Sequence, residues 1–198
     1  TITEPSAVGA DPSTYVVNTP TVLDSLGVIN FAATGGACLS SMTLATPDDA
    51  NNGQLGMMWN VINTSGGDLA IMGISQGSAY LNAAATGVQA DVWYTVGDYV
   101  ASQSWQVAGS AVVDLTPYAN TGTVMFPSPV IIPAGATYGF HAVFDATVGY
   151  TNGSGTPGVT VRASDANITI TEGHGCAGFG QLSFSPRNWN GEMIYSDP

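Results

Sequence analysis

Residues that could serve as acids, bases or nucleophiles are scarce in this chain. Besides fourteen Asp and Glu, it holds the histidines His141 and His174 and the cysteines Cys38 and Cys176. His141 lies in the alternating run 139–144, where a buried, hydrogen-bonded imidazole is a more common role than catalysis. A glycosidase would need two carboxylates across a cleft, and no pair stands out by its spacing. We therefore expect no catalytic residues and no enzymatic activity.

The two cysteines lie far apart in the sequence, and their spacing fits neither a metal site nor a C-x-x-C redox motif. A disulfide between Cys38 and Cys176 is the natural interpretation, and it would place the protein in an oxidising compartment. The alternative is a pair of buried free thiols that behave as small apolar side chains.

One segment is rich in oxygen ligands. Residues 48–52 read Asp-Asp-Ala-Asn-Asn, and carboxylate and carbonyl oxygens are what calcium prefers. The segment lacks the ordered spacing of an EF-hand loop, so a solvated turn is the alternative and we assign no metal ligand. Asp165 is expected to order its own turn or to pair with Arg162. No other cofactor is expected.

Arg162 and Arg187 are the only basic residues besides the histidines. Arg187 follows a proline and lies close to Trp189, so its guanidinium could stack on the indole or bind carbonyl oxygens. We interpret it as a clamp on the final hairpin. The alternative is a sugar site in which Trp189 is the stacking platform and Asn188 and Asn190 are polar partners.

Charge restricts the partners. The net charge is -12, the chain has no lysine, and only 8% of its residues are charged. Nucleic-acid affinity depends on Lys and Arg, so nucleic-acid binding is not expected. No apolar run is long enough to span a bilayer, so no membrane insertion is expected either. A surface of Thr, Ser, Asn, Gln and Gly is typical of extracellular β proteins, and we expect an extracellular or cell-surface location.

The elements that must position these residues are short strands. Blocks rich in Val, Ile, Thr, Tyr and Trp alternate with Gly, Asn, Asp and Pro clusters, which is the pattern of strands and turns. The predicted strands are 55–63, 69–75, 88–96, 105–114, 121–126, 136–145, 158–163, 168–172, 180–185 and 192–195. So many short strands in one chain of this length indicate an all-β fold, a single β-sandwich of jelly-roll type. We expect residues 1–22 to be an N-terminal extension and residues 23–198 to form the sandwich.

Several short runs of residues between positions 56 and 195 have a distinctive sequence. They are YTNG at 150–153, RASDANITITEG at 162–173, FSPRNWNG at 184–191 and IY at 194–195, with GMMWNV at 56–61, DVWY at 91–94 and IPAGATYGF at 132–140. Over roughly residues 53–198 the chain resembles an exported bacterial cell-surface module that closes with YTNG, ASDANLTIYEG, FSPRVWNG and IYY. The resemblance implies an exported β-sandwich and no catalytic residues.

Two positions depart from that module. Thr95 stands where a basic residue is usual, and His174-Gly175-Cys176 stands where aromatic residues are more common. The departure adds a cysteine, which favours a crosslink particular to this protein.

Three functional hypotheses remain. The first is an extracellular structural protein that assembles with other copies of itself into a filament, sheath or surface layer. In it Tyr15, Val16 and Val17 could add a strand to a neighbouring copy, and a viral capsid or fibre shares this physics. The second is a carbohydrate-binding or adhesive module, with glycans as partners. The third and weakest is a secreted hydrolase on the same scaffold.

Overall fold

A computed structural model of the chain describes residues 22–23, 29–30 and 41–196. The chain divides into two compact units, Thr1–Ser40 and Ser41–Pro198. In the first unit, β1 (Val22–Leu23) and β2 (Ile29–Asn30) form an antiparallel pair. The predicted boundary after residue 22 falls within this first unit. The predicted inter-subunit strand at Tyr15, Val16 and Val17 lies outside the described residues.

The second unit is built almost entirely from strands. A single 3-10 turn, Tyr80–Asn82, interrupts them among residues 41–196. The strands are β3 (Ser41–Ala45), β4 (Asn52–Asn63), β5 (Leu69–Gln76), β6 (Ala85–Val96), β7 (Gln106–Leu115), β8 (Gly122–Ile132), β9 (Thr137–Asn152), β10 (Val161–Ser164), β11 (Ile168–Thr171), β12 (Gly173–Cys176), β13 (Phe184–Trp189) and β14 (Gly191–Ser196). No helix in this part of the chain is long and apolar enough to cross a membrane.

Two antiparallel sheets pack face to face. The smaller sheet has the order β3-β14-β5-β8, and the larger contains the run β9-β6-β7 with β4 also paired to β9. Setting β10–β13 aside, the first sheet holds strands one, eight, three and six of eight, and the second holds two, seven, four and five. This is the strand order of a jelly roll. The predicted all-β sandwich is confirmed.

Strands β10–β13 are an insertion between the seventh and eighth strands of the jelly roll, and they extend the larger sheet. β11 and β12 pair with the side of β4 that faces away from β9. β13 pairs with β12 and also with the end of β9. Because β4 pairs with β9 as well, β4, β12, β13 and β9 form a closed circuit of paired strands.

The core lies between the two sheets, and strand alternation decides which side chains enter it. On β4 and β9, Met57, Trp59, Phe140 and Ala142 point into this core and are fully buried. The smaller sheet covers them with side chains that include Ile71, Ile74, Val124, Met193 and Tyr195. Residues between these positions, such as Met58 and His141, therefore lie on the outer face of the larger sheet.

The observed strands differ from the predicted ones in several places. β3 (Ser41–Ala45) was not predicted, and the predicted strand 158–163 begins only at Val161. The run 180–185 is mostly a loop, and the strand at that place is Phe184–Trp189. β12, Gly173–Cys176, was not predicted at all. Its glycines are required by close packing: a Cβ at Gly173 would collide with the carbonyl oxygen of Met58, and one at Gly175 would lie 2.9 Å from the Tyr150 ring.

Candidate functional site

Both histidines lie on the outer face of the larger sheet, in one row. The strand register pairs Trp93 with His141, His141 with Met58 and Met58 with His174, so one residue from each of β6, β9, β4 and β12 stands in line. The row brings together residues that are distant in the sequence. It brings both histidines next to aromatic side chains.

Side chains from two loops and the end of β12 cover this row. His141 has ring centroids of Trp93, Trp105 and Phe179 at 5.8, 5.3 and 5.4 Å. Tyr99 and Cys176 are fully buried beside Met58 and form a small second core. We call these residues the outer cluster: Met58, Trp93, Tyr99, Trp105, His141, His174, Cys176 and Phe179.

His141 is hydrogen-bonded at both ring nitrogens. Nδ1 lies 3.1 Å from the carbonyl oxygen of Met57, and Nε2 accepts the backbone N–H of Gly180 at 3.1 Å. A neutral imidazole that carries its proton on Nδ1 satisfies both contacts. Burial lowers the pKa of His141 to about 4, against a smaller opposing effect of the Met57 carbonyl. The ring is therefore neutral at pH 7 and ties the loop around Gly180 to the sheet.

Tyr99, His174 and Cys176 complete the polar chemistry of the outer cluster. The Tyr99 hydroxyl lies 2.9 Å from Nδ1 of His174. Burial, with the charges of Asp98 and Cys176, raises the pKa of Tyr99. Burial also lowers the pKa of His174 and raises the pKa of the Cys176 thiol to about 12.

Such groups are poorly suited to catalysis. A nucleophilic cysteine needs a lowered pKa, and Cys176 has the opposite. Within residues 41–196 neither histidine hydrogen-bonds to a carboxylate that could orient it as a base. The cluster works as a second apolar core that fastens two loops to the sheet. The buried, hydrogen-bonded role expected for His141 agrees with these contacts.

One serine motif escaped the sequence analysis. The run Gly73-Ile74-Ser75-Gln76-Gly77 has the G-x-S-x-G spacing of a nucleophile elbow. An elbow places its serine at a strand-to-helix turn, whereas Ser75 lies inside β5 and is buried. Its hydroxyl is 2.6 Å from that of Thr123 on the neighbouring strand. Ser75 is a cross-strand contact.

Trp189 is not the sugar platform considered from the sequence. Its indole is fully buried, stacks on Trp59 at 4.2 Å and donates its N–H to Oε1 of Gln76 at 2.9 Å. Asn188 and Asn190 are buried too. An indole without an exposed face cannot stack on a sugar, so the alternative of a sugar site at Trp189 is wrong.

Arg187 contacts rings other than Trp189. Its guanidinium carbon lies 5.5 Å from the ring centroid of Tyr150 and 5.9 Å from that of Phe184. Nη1 donates to the carbonyl oxygen of Pro186 at 2.7 Å. Through Tyr150 the arginine links β13 to β9. The expected clamp on a final hairpin is wrong, because β13 and β14 lie in different sheets and do not pair.

The oxygen-rich segment 48–52 takes part in a network of protein hydrogen bonds. Oδ1 of Asp48 accepts the Asn190 amide at 2.9 Å, and Oδ2 accepts the Ser78 hydroxyl at 3.2 Å. Asn190 in turn accepts the Thr151 hydroxyl at 2.9 Å. In the described part of the chain no three His, Cys, Asp or Glu residues are grouped as metal ligands would be.

Asp165 and Arg162 have separate partners. Oδ1 of Asp165 accepts the backbone N–H groups of Asn167 and Ile168, and Oδ2 accepts the Tyr195 hydroxyl at 2.6 Å. Arg162 donates to the carbonyl oxygen of Pro47 at 2.7 Å. Asp165 thus orders its own turn, which is one of the two roles expected for it from the sequence.

The predicted disulfide would link Cys176, which the structure describes, to Cys38, which it does not. Cys176 is a free, buried thiol here, and Cys38 lies outside the described residues. The Cys38–Cys176 bond therefore stays a prediction. The mass of the intact protein before and after reduction decides it, since a disulfide gains two hydrogen atoms.

The outermost strands β7 and β8 end the two sheets on the same side of the sandwich. β7 pairs with β6 alone and β8 with β5 alone among the described strands. The two approach each other at Gly109, where a Cβ would lie 2.9 Å from the Phe126 ring. Val107 and Val112 of β7 are 71% and 67% exposed. This margin exposes apolar side chains, as do other parts of the described surface, for example at Leu81, Tyr118 and Val159.

No protein-family model and no curated protein matches the chain.

Proposed function

We propose that the protein is an extracellular structural protein, a subunit that assembles with other copies of itself into a surface filament, sheath or layer. The observation that carries the proposal is the uncovered edge strand β7, with Val107 and Val112 exposed in a chain that has no lysine. Lysines on edge strands are a common protection against edge-to-edge association. A subunit that uses its edge has no need of them.

The chemistry of the remaining side chains supports the same proposal. Both histidines and Cys176 are held in the outer cluster, and Ser75 is a cross-strand contact. These four residues thus serve packing, loop attachment and cross-strand contact. The predicted extension, residues 1–22 with Tyr15, Val16 and Val17, supplies a segment that could reach a neighbouring copy.

The experiment is a measurement of assembly with the full chain. We expect light scattering to rise with protein concentration at physiological salt, and electron microscopy to show regular polymers. A strictly monomeric protein across the whole concentration series would contradict the proposal. Lysozyme at the same concentrations is a control for non-specific scattering.

A second candidate function, binding of carbohydrate by an adhesive module, is favoured by the outer cluster. Trp93 and Trp105 are half-buried there and Phe179 is 49% exposed. Aromatic faces are frequent in ligand sites of β-sandwiches, where a few polar groups add specificity. A glycan array tests this candidate, with Trp93→Ala as the variant expected to lose binding. Binding that Trp93→Ala leaves intact would remove the cluster as the site.

The proposal includes export of the chain, because the bacterial cell-surface module that the sequence resembles is exported. Its exported location agrees with a chain that has no lysine and only 8% charged residues. A disulfide between Cys38 and Cys176 would add support, because it requires an oxidising compartment.

A further inference from the structure

The four outermost strands of the sandwich differ in how well their free edges are protected. β10 has four residues, one of which is Arg162. β3 has five residues, and Arg162 and Asn167 contact Pro47 and Met42 in and beside it. β8 is longer, but Pro127 and Pro129 interrupt it. Short length, charge and proline are the usual protections of a sheet edge.

β7 lacks these protections. It has ten residues, Gln106–Leu115, with no proline and with Asp114 as its one charged residue. Among the described residues its ladder partner is β6 alone. Of the four edges, β7 is therefore the one most open to an added strand.

The register shows which backbone groups of β7 are free to bind. Gln89 of β6 turns its N–H toward Asp145 of β9, at 2.9 Å, and it stands opposite Val112 of β7. Gln89 and Val112 are thus a non-hydrogen-bonded pair, so the N–H and C=O of Val112 point away from β6. By alternation the same holds for Ser110 and for the N–H of Asp114, whereas the carbonyl oxygen of Asp114 accepts the Thr121 hydroxyl at 2.9 Å. The segment 110–114 offers these groups over a length of five residues.

Charge favours one occupant for this edge. Asp91 and Asp114 lie beside the free segment, so two β7 strands from two copies would bring four carboxylates together. The segment Thr14–Asn18 of the extension reads Thr-Tyr-Val-Val-Asn and carries no charge. Its β-branched and aromatic residues favour the extended state. It matches the free segment of β7 in length.

We propose that the free edge of β7 at residues 110–114 receives the segment Thr14–Asn18 of a second copy as an added strand. The inference rests on the proposed function and names the acceptor that self-assembly would use. Each copy then has one donor and one acceptor. Such a head-to-tail contact builds an open polymer unless the rotation between copies closes a ring.

The structure allows a matched pair of acceptor variants. Val112→Pro removes the N–H that the added strand needs, and leaves the β6 ladder intact because that N–H points away from β6. Val112→Thr keeps both the N–H and a β-branched side chain, so it is the control. Val16→Pro disables the donor in the same way. Circular dichroism and thermal melts verify that each full-length variant is folded, and Ser110→Pro replaces Val112→Pro if the latter is not.

The decisive measurement mixes the two disabled variants. We expect the wild type and Val112→Thr to polymerise, and Val112→Pro and Val16→Pro each to stay monomeric. Mixed in equal amounts, they should form a discrete heterodimer by size-exclusion chromatography with light scattering, since Val112→Pro keeps its donor and Val16→Pro its acceptor. This dimer cannot grow.

The other outcomes separate the two proposals. Polymers of Val112→Pro like those of the wild type would overturn β7 as acceptor, and polymers of Val16→Pro would overturn the donor, while self-assembly itself would stand. Two monomeric variants that form no heterodimer would overturn the pairing of this donor with this acceptor. A monomeric wild type would overturn the proposed function and the inference with it.

Discussion

The indole rings of Trp59 and Trp189 are stacked with their centroids 4.2 Å apart and their planes 3° apart. Trp59 belongs to β4 of the jelly roll, and Trp189 ends β13 of the insertion. Both are fully buried. The stack therefore makes the insertion part of the main core, and the sandwich should not be stable without it.

Replacing Trp189 tests that dependence. We expect Trp189→Ala to lower the free energy of unfolding by about 3–5 kcal/mol, as large-to-small changes of buried aromatics do. Trp189→Phe should cost less, about 1–3 kcal/mol, mainly because Oε1 of Gln76 loses its donor. Urea unfolding at pH 7 measures both. Trp93→Ala, on the half-exposed outer face, is the control, and an equal loss there would contradict the central role of the stack.

The stability of the sandwich should fall in mild acid because of His141. Its pKa is 6.5 when unfolded and about 4 when folded, so between these values the unfolded chain binds more protons. The contribution of the neutral His141 to the free energy of unfolding is fully present above pH 6.5. It is lost as the pH falls to about 4, and it does not change further below that pH. The shift corresponds to about 3 kcal/mol. The ionisable groups packed nearby are Tyr99 and Cys176, whose pKa values burial raises, and His174, whose pKa burial lowers.

Urea unfolding at pH 7 and at pH 4.5 measures this decline. His141→Gln should flatten most of it, whereas His174→Gln, at a more exposed ring, should keep it. The lowered pKa of Asp165 acts at lower pH, because a carboxyl that is stabilised in its charged form loses that stabilisation only below its unfolded pKa. An unchanged decline in His141→Gln would assign the effect to other groups.

Calcium should leave the thermal stability unchanged. Both carboxylate oxygens of Asp48 already accept hydrogen bonds from Asn190 and Ser78. We expect Asp48→Ala to lower the free energy of unfolding by about 1–3 kcal/mol because these donors lose their acceptor. Asp49→Ala, at an exposed side chain, is the control. Differential scanning fluorimetry with calcium and with EDTA checks the metal, and a rise in Tm that Asp48→Ala abolishes would establish a calcium site.

Self-assembly should depend on salt. Copies with a net charge of -12 repel each other, and the repulsion is screened within about 10 Å at 0.1 M ionic strength. We expect light scattering to rise faster as sodium chloride increases from low to physiological concentration. Val112→Pro should show no rise at any salt concentration. A faster rise at low salt would mean that attraction between charges drives the assembly.

The strand pattern was readable from the sequence where alternation is regular. In β6, Val88, Ala90 and Val92 enter the core and the residues between them do not, so the predicted strand 88–96 closely matches Ala85–Val96. β12 was missed because Gly-His-Gly-Cys carries no strand signal. Its glycines are needed because the backbone of Met58 and the ring of Tyr150 lie close to them. These contacts join segments that are distant in the sequence.

The site residues were less predictable for the same reason. The burial of Trp189 depends on Trp59 and Gln76, both more than a hundred positions away. The row from Trp93 to His174 exists because four strands share one register. The free edge of β7 depends on the order of strands in the sheet. Local patterns of residues carry none of this information.

The placement of the two arginines has a consequence for digestion. Arg162 lies in β10 and Arg187 in β13, and each guanidinium is held by a carbonyl oxygen. With no lysine in the chain, a trypsin-like protease finds two cleavable bonds among 198 residues. It must pull either one out of a sheet before it can cut.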